Sequence, residues 1–251
     1  MIDFEIDIPT VDGAMNTFVA HPDGNGPYPA VFMYMPASGI RDELRDMTRR
    51  LAMHGYIVLL PNLYYRIVRV LDVDSNRLFD EDYEPVKTFM NVLNNGYTNA
   101  RSRIDTAAMI TFVDNDERAM ASKIGVTGYC MGGRLALIAI TEFPDRIDAM
   151  VSMYGGRLHS DAPDSPHLKA DRIAGELYLG VAENDAYVPM EMNDRLTAHF
   201  DALGVKYKLA VYSDTEHGFC FPKCYCYVPK ADKKHWRIMT NLFERRLGSP
   251  Q

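Results

Sequence analysis

Apolar and polar side chains alternate at the start of the chain. Phe4-Glu5-Ile6-Asp7-Ile8 has the period of two that predicts a half-exposed strand. A turn at Asp12-Gly13 leads to a second strand over 16–20, so a β-hairpin is expected to open the fold. After the glycines and prolines of HPDGNGPYP the pattern becomes an unbroken apolar run over 30–35, which suits a strand covered on both faces. From 41 to 54 the apolar residues fall at 44, 47, 51 and 53, a helical stripe that ends at Gly55. Residues 56–60 form another buried strand, stopped by Pro61.

Residues 62–83 show no period and are expected to be irregular, followed by helices over 85–93 and 99–115. Strands are then predicted at 123–129, 147–154, 175–182 and 207–212, with helices at 131–142, 189–200 and 231–247. No repeat, low-complexity tract or linker intervenes, so residues 1–251 read as one domain. An antiparallel opening followed by alternating strands and helices implies an α/β fold, with a mostly parallel central sheet and helices on both faces. Ligands in such sheets gather at the carboxyl ends of the strands. The loops after Met35, Pro61, Tyr129, Ala182 and Tyr212 should therefore share one rim.

Composition narrows the function classes. Hydrophobic residues make up 47% and charged residues 24% of 251, enough for a large core and too apolar for disorder. A net charge of -7 argues against nucleic acid or an anionic membrane as the main partner. No apolar run approaches the roughly 18 residues of a membrane span. MIDFEIDIPT lacks the basic region and apolar core of a signal peptide, so the cytoplasm is the expected compartment. Cys220, Cys224 and Cys226 crowd together without resembling an extracellular disulfide framework, and are expected as free thiols near a pocket mouth.

The candidate chemistry starts at GVTGYCMGGRLAL. Gly128-Tyr129-Cys130-Met131-Gly132 has the G-x-nucleophile-x-G form between a predicted strand and a predicted helix. So sharp a turn strains the nucleophile's backbone and leaves no room for side chains two positions away on either side. At a helix N-terminus the thiolate is favoured, and the N–H of Met131 points where an oxyanion would form. Such a nucleophile needs a base and an orienting acid, in the chain order nucleophile, acid, histidine. Asp185 follows one predicted strand and His217 follows the last, each in a rim loop. Singly, each has a plainer role: an inert cysteine in a glycine-rich bend, an N-cap, a histidine packed beneath Phe219. Glu183 is an alternative acid. The other histidines, at 21, 54, 159, 167, 199 and 235, fall in early loops or on helices and are expected at the surface.

These residues resemble the dienelactone hydrolase family, α/β-hydrolases with a cysteine nucleophile. The likeness covers nearly the whole chain. It is carried by the elbow at 128–133, Gly55-Tyr56, Pro61-Asn62-Leu63-Tyr64, Asp185 with Val188-Pro189, and His217-Gly218-Phe219. The resemblance implies an α/β-hydrolase fold and hydrolysis of a small carboxylic ester or lactone through an acyl-enzyme. In it Cys130 attacks the carbonyl, His217 moves the protons and Asp185 orients the imidazole. It also implies a second oxyanion donor, the backbone N–H of Ala37, beside that of Met131. Two departures stand out. The family places a glutamate just before the oxyanion residue and an arginine four residues after the histidine, where this chain has Pro36 and Phe221. That argues against dienelactone itself as substrate, with Lys223 and Arg66 as the cations available to compensate. Tyr64, Tyr65, Arg66, Phe219 and Phe221 are the candidate pocket residues, within loops at 36–41, 62–83, 155–171 and 219–230. Without the glutamate no second anion opposes ionisation, so Cys130 is expected to rest as a thiolate paired with protonated His217.

Competing classes are a catalytically silent binding or regulatory protein on the same fold, and a zinc site joining His217 to the three clustered cysteines. The C-x3-C-x-C spacing lacks the paired knuckles of structural zinc. An elbow cysteine rather than aspartate argues against C–halogen cleavage. The expected partner is a small-molecule ester or lactone, with no nucleic acid, membrane, metal or cofactor, acting on a monomer or homodimer.

Overall fold

The alternation at the N-terminus becomes a hairpin in the computed structural model, which describes residues 1–71, 73, 74, 77 and 85–248. Strands β1 (Ile2–Thr10) and β2 (Gly13–His21) pair antiparallel from Ile2↔His21 to Thr10↔Gly13. Only β2 is largely buried, because its far side pairs with β4 (Ile57–Pro61), again antiparallel. The apolar run over 30–35 forms β3 (Tyr28–Tyr34), every residue of it buried. All remaining pairings are parallel and complete an eight-stranded sheet of order β1-β2-β4-β3-β5-β6-β7-β8. Here β5 is Ala119–Tyr129, β6 Ile147–Met153, β7 Glu176–Ala182 and β8 Tyr207–Tyr212. The expected architecture is the observed one. β5 starts earlier than the sequence suggested because Ala119 and Met120 pair with Tyr28 and Pro29 before a register shift.

Helix α1 (Asp42–Ala52) buries Leu44, Met47, Thr48 and Leu51, the stripe of a one-sided helix. It begins one residue later than expected, since Arg41 is extended. Helices α2 (Pro85–Asn95) and α3 (Asn99–Asp114) follow, and α4 (Met131–Glu142), buried along almost its whole length, lies on β5, β6 and α3. A 3₁₀ segment, Pro166–Arg172, packs on α4 within what the sequence offered as plain loop. Helix α5 (Met190–Leu203) ends at Gly204, whose left-handed φ of 69° caps it. Helix α6 (Pro229–Leu247) crosses the opposite face and meets α1, where the Arg50 guanidinium lies 4.1 Å from the Trp236 ring centroid. No helix among the described residues is long and apolar enough to cross a membrane.

Candidate active site

The end of β5 sets the geometry. Cys130 has φ 56° and ψ -118°, between a buried strand and the first turn of α4. A left-handed φ is uncommon for a residue with a Cβ and marks a backbone held against its preference. The glycines explain how the turn closes: a Cβ on Gly128 would collide with the Gly132 carbonyl, and one on Gly132 with the Tyr34 carbonyl of β3. The half-buried thiol is thereby held where α4 begins.

His217 and Asp185 arrive from the loops after β8 and β7. The N–H of Asn184 donates to the Thr215 carbonyl at 2.9 Å, and Glu183 N–H to the Tyr212 carbonyl at 3.2 Å, which ties those loops together. Asp185, only 1% exposed in its side chain, accepts from His217 Nδ1 at 2.8 Å. Its Oδ1 also accepts the N–H groups of Tyr187 at 2.9 Å and Val188 at 3.0 Å. The carboxylate therefore both orients the imidazole and shapes the turn before α5. Glu183 is engaged elsewhere, accepting from Asp214 N–H.

His217 stands beside Cys130, and the backbone N–H groups of Met131 and Ala37 act on the same sulfur. Desolvation pushes the Cys130 thiol up, but the hydrogen bond and charge of His217, with those two N–H groups, bring it below its ordinary value. For His217, desolvation pulls down, while the bonds to Asp185 and Cys130 carry it well above the usual imidazole range. Thiolate and imidazolium stabilise one another.

The pocket candidates divide. Tyr64 is fully buried, and its hydroxyl donates to the Ala37 carbonyl at 2.8 Å, fixing the loop that supplies one of the N–H groups. Phe219 lies beneath the site against Tyr154 and Tyr212. Phe221 packs on Tyr129 and Tyr154, with the Arg41 guanidinium 5.4 Å from its ring centroid. Tyr65 and Arg66 go elsewhere. Tyr65 bonds Thr10 and Asp105, and Arg66 is held between Asp105 on α3 and Asp12 in the hairpin turn, its side chain 7% exposed. So saturated, Arg66 is no free cation for a substrate. The backbone N–H of Lys223 donates to Glu43, which also pairs with Arg41. Of the loop expected over 62–83, residues 72, 75, 76 and 78–83 lie outside the described residues.

Other expectations are corrected. Cys224 and Cys226 are joined as a disulfide rather than free, because the turn between them brings their Cα atoms to 5.1 Å. That takes two sulfurs away from any zinc site around His217. His21, His167 and His235 are buried, not on the surface; His235 lies on the inward stripe of α6 between Asp232 and Met239. Tyr154 and Tyr187, which carry no motif in the sequence, also join the site, with rings 4.8 and 5.0 Å from that of His217. Tyr154 directly follows β6, at a strand end where site residues collect, so position alone offered the clue.

The sequence pattern of the dienelactone hydrolase family matches residues 15–247. The chain belongs to the dienelactone hydrolase family. Membership makes it a hydrolase by descent. A protein of Synechocystis sp. named "Putative carboxymethylenebutenolidase" is 25% identical over 246 residues, 96% of each chain. A relative of the same name in Escherichia coli K12 is 25% identical, over 96% of this chain and 86% of its own. Among solved structures, a "Putative Dienelactone Hydrolase" from Klebsiella pneumoniae superposes with TM-score 0.84 at 24% identity, over 97% of this chain and 98% of that one. Pyrococcus horikoshii acylaminoacyl peptidase superposes with TM-score 0.72 at 17% identity, over all of this chain and 42% of that one. These two likenesses establish the α/β-hydrolase fold.

Proposed function

We propose that the chain hydrolyses a small carboxylic ester or lactone by covalent acyl transfer at Cys130. The observation that carries this reading is the convergence on one sulfur of the His217 imidazole and the N–H groups of Met131 and Ala37, with Asp185 behind the imidazole. The thiolate attacks the carbonyl carbon, and the carbonyl π electrons move to oxygen. The two N–H groups that face the resting sulfur receive the resulting oxyanion. His217 Nε2–H protonates the departing alkoxide, leaving a thioester on Cys130 and a neutral imidazole. That imidazole then takes a proton from water, hydroxide attacks the thioester, and the acid leaves as the thiolate–imidazolium pair reforms. Asp185 keeps the proton on Nδ1 throughout and favours the imidazolium.

The substrate surroundings favour an uncharged acyl group. Phe221 presents a ring where the family resemblance expects an arginine, and the nearby Arg41 is already paired with Glu43 at 3.2 Å. Pro36 offers no carboxylate beside the sulfur. A screen of p-nitrophenyl esters, lactones and thioesters of varied acyl charge, run beside Cys130→Ala, tests the reading. A burst of one product per chain with neutral substrates supports it. Turnover that survives Cys130→Ala, or no turnover of any activated ester, would sink it.

A further inference from the structure

Behind the His217 loop three buried side chains unused by the proposed reaction come together. Cys220 belongs to the 213–228 loop, while Asp232 and His235 stand one turn apart on α6. Their ligand atoms lie within 4.8 Å of one another, and the three residues are at most 4% exposed.

Two of those atoms lack partners. Asp232 Oδ1 and His235 Nδ1 are buried and accept or donate no hydrogen bond among the described residues. They face each other at 3.6 Å, too far for a hydrogen bond. The other ends of both side chains are anchored. Asp232 Oδ2 accepts from the Tyr227 hydroxyl and from Arg50 Nη1, both at 3.3 Å. His235 Nε2 lies 3.3 Å from the Tyr129 hydroxyl, with Tyr129 and Trp236 packed against the ring. In the tautomer that donates Nε2–H to Tyr129, Nδ1 turns a lone pair toward a carboxylate oxygen that has only lone pairs to offer; in the other, Nδ1–H stands 3.6 Å from that oxygen, beyond hydrogen-bond reach. Two acceptors opposed in a dry interior are unfavourable unless a proton or a cation lies between them. A proton would leave the Cys220 sulfur without a role in the cluster; a metal ion takes all three donors.

We propose that Cys220, Asp232 and His235 bind one divalent transition-metal ion, best matched by zinc. Thiolate, imidazole and carboxylate together are the donor set of zinc rather than of magnesium or calcium. Zinc bond lengths to S, N and O imply tetrahedral edges of about 3.3–3.6 Å. The histidine–aspartate pair already stands at 3.6 Å, so closure needs a shift at the sulfur of roughly 1 Å. Tyr129 behind His235, and Tyr227 with Arg50 behind Asp232, orient the ligands as outer partners do in metal sites. The buried Tyr154 hydroxyl stands beside Cys220. Binding displaces the thiol proton to solvent and forms the sulfur–metal bond. The ion would pin the loop carrying His217 and Phe221 onto α6, a structural rather than a catalytic duty.

The test uses the full chain. Protein purified without chelator is analysed by plasma mass spectrometry, then stripped and titrated with Co²⁺ while sulfur-to-cobalt charge-transfer absorption is followed. One zinc per chain as purified, or one Co²⁺ taken up with that absorption and a rise in melting temperature, is expected. Cys220→Ser and His235→Gln should lose both signals, and Cys130→Ala should keep them. Because core variants can misfold, zinc K-edge absorption of the wild-type chain supplies a second measure, with one sulfur among nitrogen and oxygen neighbours expected. No stoichiometric metal by either route, a shell without sulfur, or full cobalt absorption in folded Cys220→Ser would each overturn the assignment.

Discussion

Replacing Asp185 by asparagine removes one charge and little else. The amide oxygen can still accept from Tyr187 and Val188, so the turn before α5 keeps its two backbone bonds. The amide nitrogen then faces His217 Nδ1. Two donors cannot face one another, so the imidazole is driven to the tautomer with its proton on Nε2, toward Cys130. In that form His217 cannot take the thiol proton. The lost interaction is a charge-assisted hydrogen bond of 2.8 Å to a carboxylate 1% exposed. Such bonds contribute about 1.5–3 kcal/mol, which at 1.36 kcal/mol per pKa unit is about 1–2 units. The sign is fixed by the pair. Asp185 stabilises the imidazolium, the imidazolium stabilises the thiolate, and losing the first moves thiolate formation to higher pH. The assay is the rate of iodoacetamide alkylation of Cys130 against pH, with Cys130→Ala as background. Wild type is expected to react with a step below that of an ordinary thiol, and Asp185→Asn with a step about 1–2 units higher. Ester turnover should fall by about 10²–10⁴-fold, as when a histidine is held in the wrong tautomer. A step in the variant within about 0.3 unit of wild type would refute the reasoning, because the coupling would then be worth under about 0.4 kcal/mol.

Three further outcomes follow from other contacts. Gly132→Ala should lower the melting temperature far more than Gly204→Ala. The first places a Cβ on the Tyr34 carbonyl, while the second meets nothing within 4 Å and costs only its left-handed φ, about 1 kcal/mol. Equal shifts in thermal melts would count against the close approach of α4 to β3. Tyr64→Phe should cost about 1 kcal/mol of stability and reduce kcat with KM little changed, since the hydroxyl holds the Ala37 carbonyl; an effect on KM alone would place Tyr64 in substrate binding instead. Asp105→Ala should destabilise by about 3 kcal/mol, because it strips the buried Arg66 of its bidentate partner. Per-molecule ester turnover of the folded fraction should stay at the wild-type level.

The order and approximate bounds of the elements were legible because each carries its own period. β3 has no polar break in its apolar run, and α1 repeats its apolar residues every three or four positions. The elbow was legible for a local reason too: the glycines at 128 and 132 are demanded by contacts within one strand–helix turn and its neighbour. Asp185 and His217 could be picked out because the topology assigns strand ends to one rim. What escaped was the destination of side chains whose partners come from distant segments. Arg66 reads as a free cation until α3 brings Asp105 to it. Cys224 and Cys226 read as thiols until the turn that contains them is drawn. His235 is a different failure. It sits in register with Ala231, Asp232, Met239 and Leu242 on the inward stripe of α6, so the periodicity that found the helix also marked it as buried.

The backbone bond from Asn184 to Thr215 bears on how such a chain can diversify. Because the loops bearing Asp185 and His217 are fastened to each other, an insertion in either would drag both functional groups from the sulfur. Residues 157–165 are fastened instead to Asn99 and Arg195, away from the loops that bear Asp185 and His217. Lengthening that stretch would remodel the substrate space and leave the distances among sulfur, imidazole and carboxylate intact. Drift in substrate preference is therefore expected to be recorded there, while the tied pair changes by single substitutions or not at all.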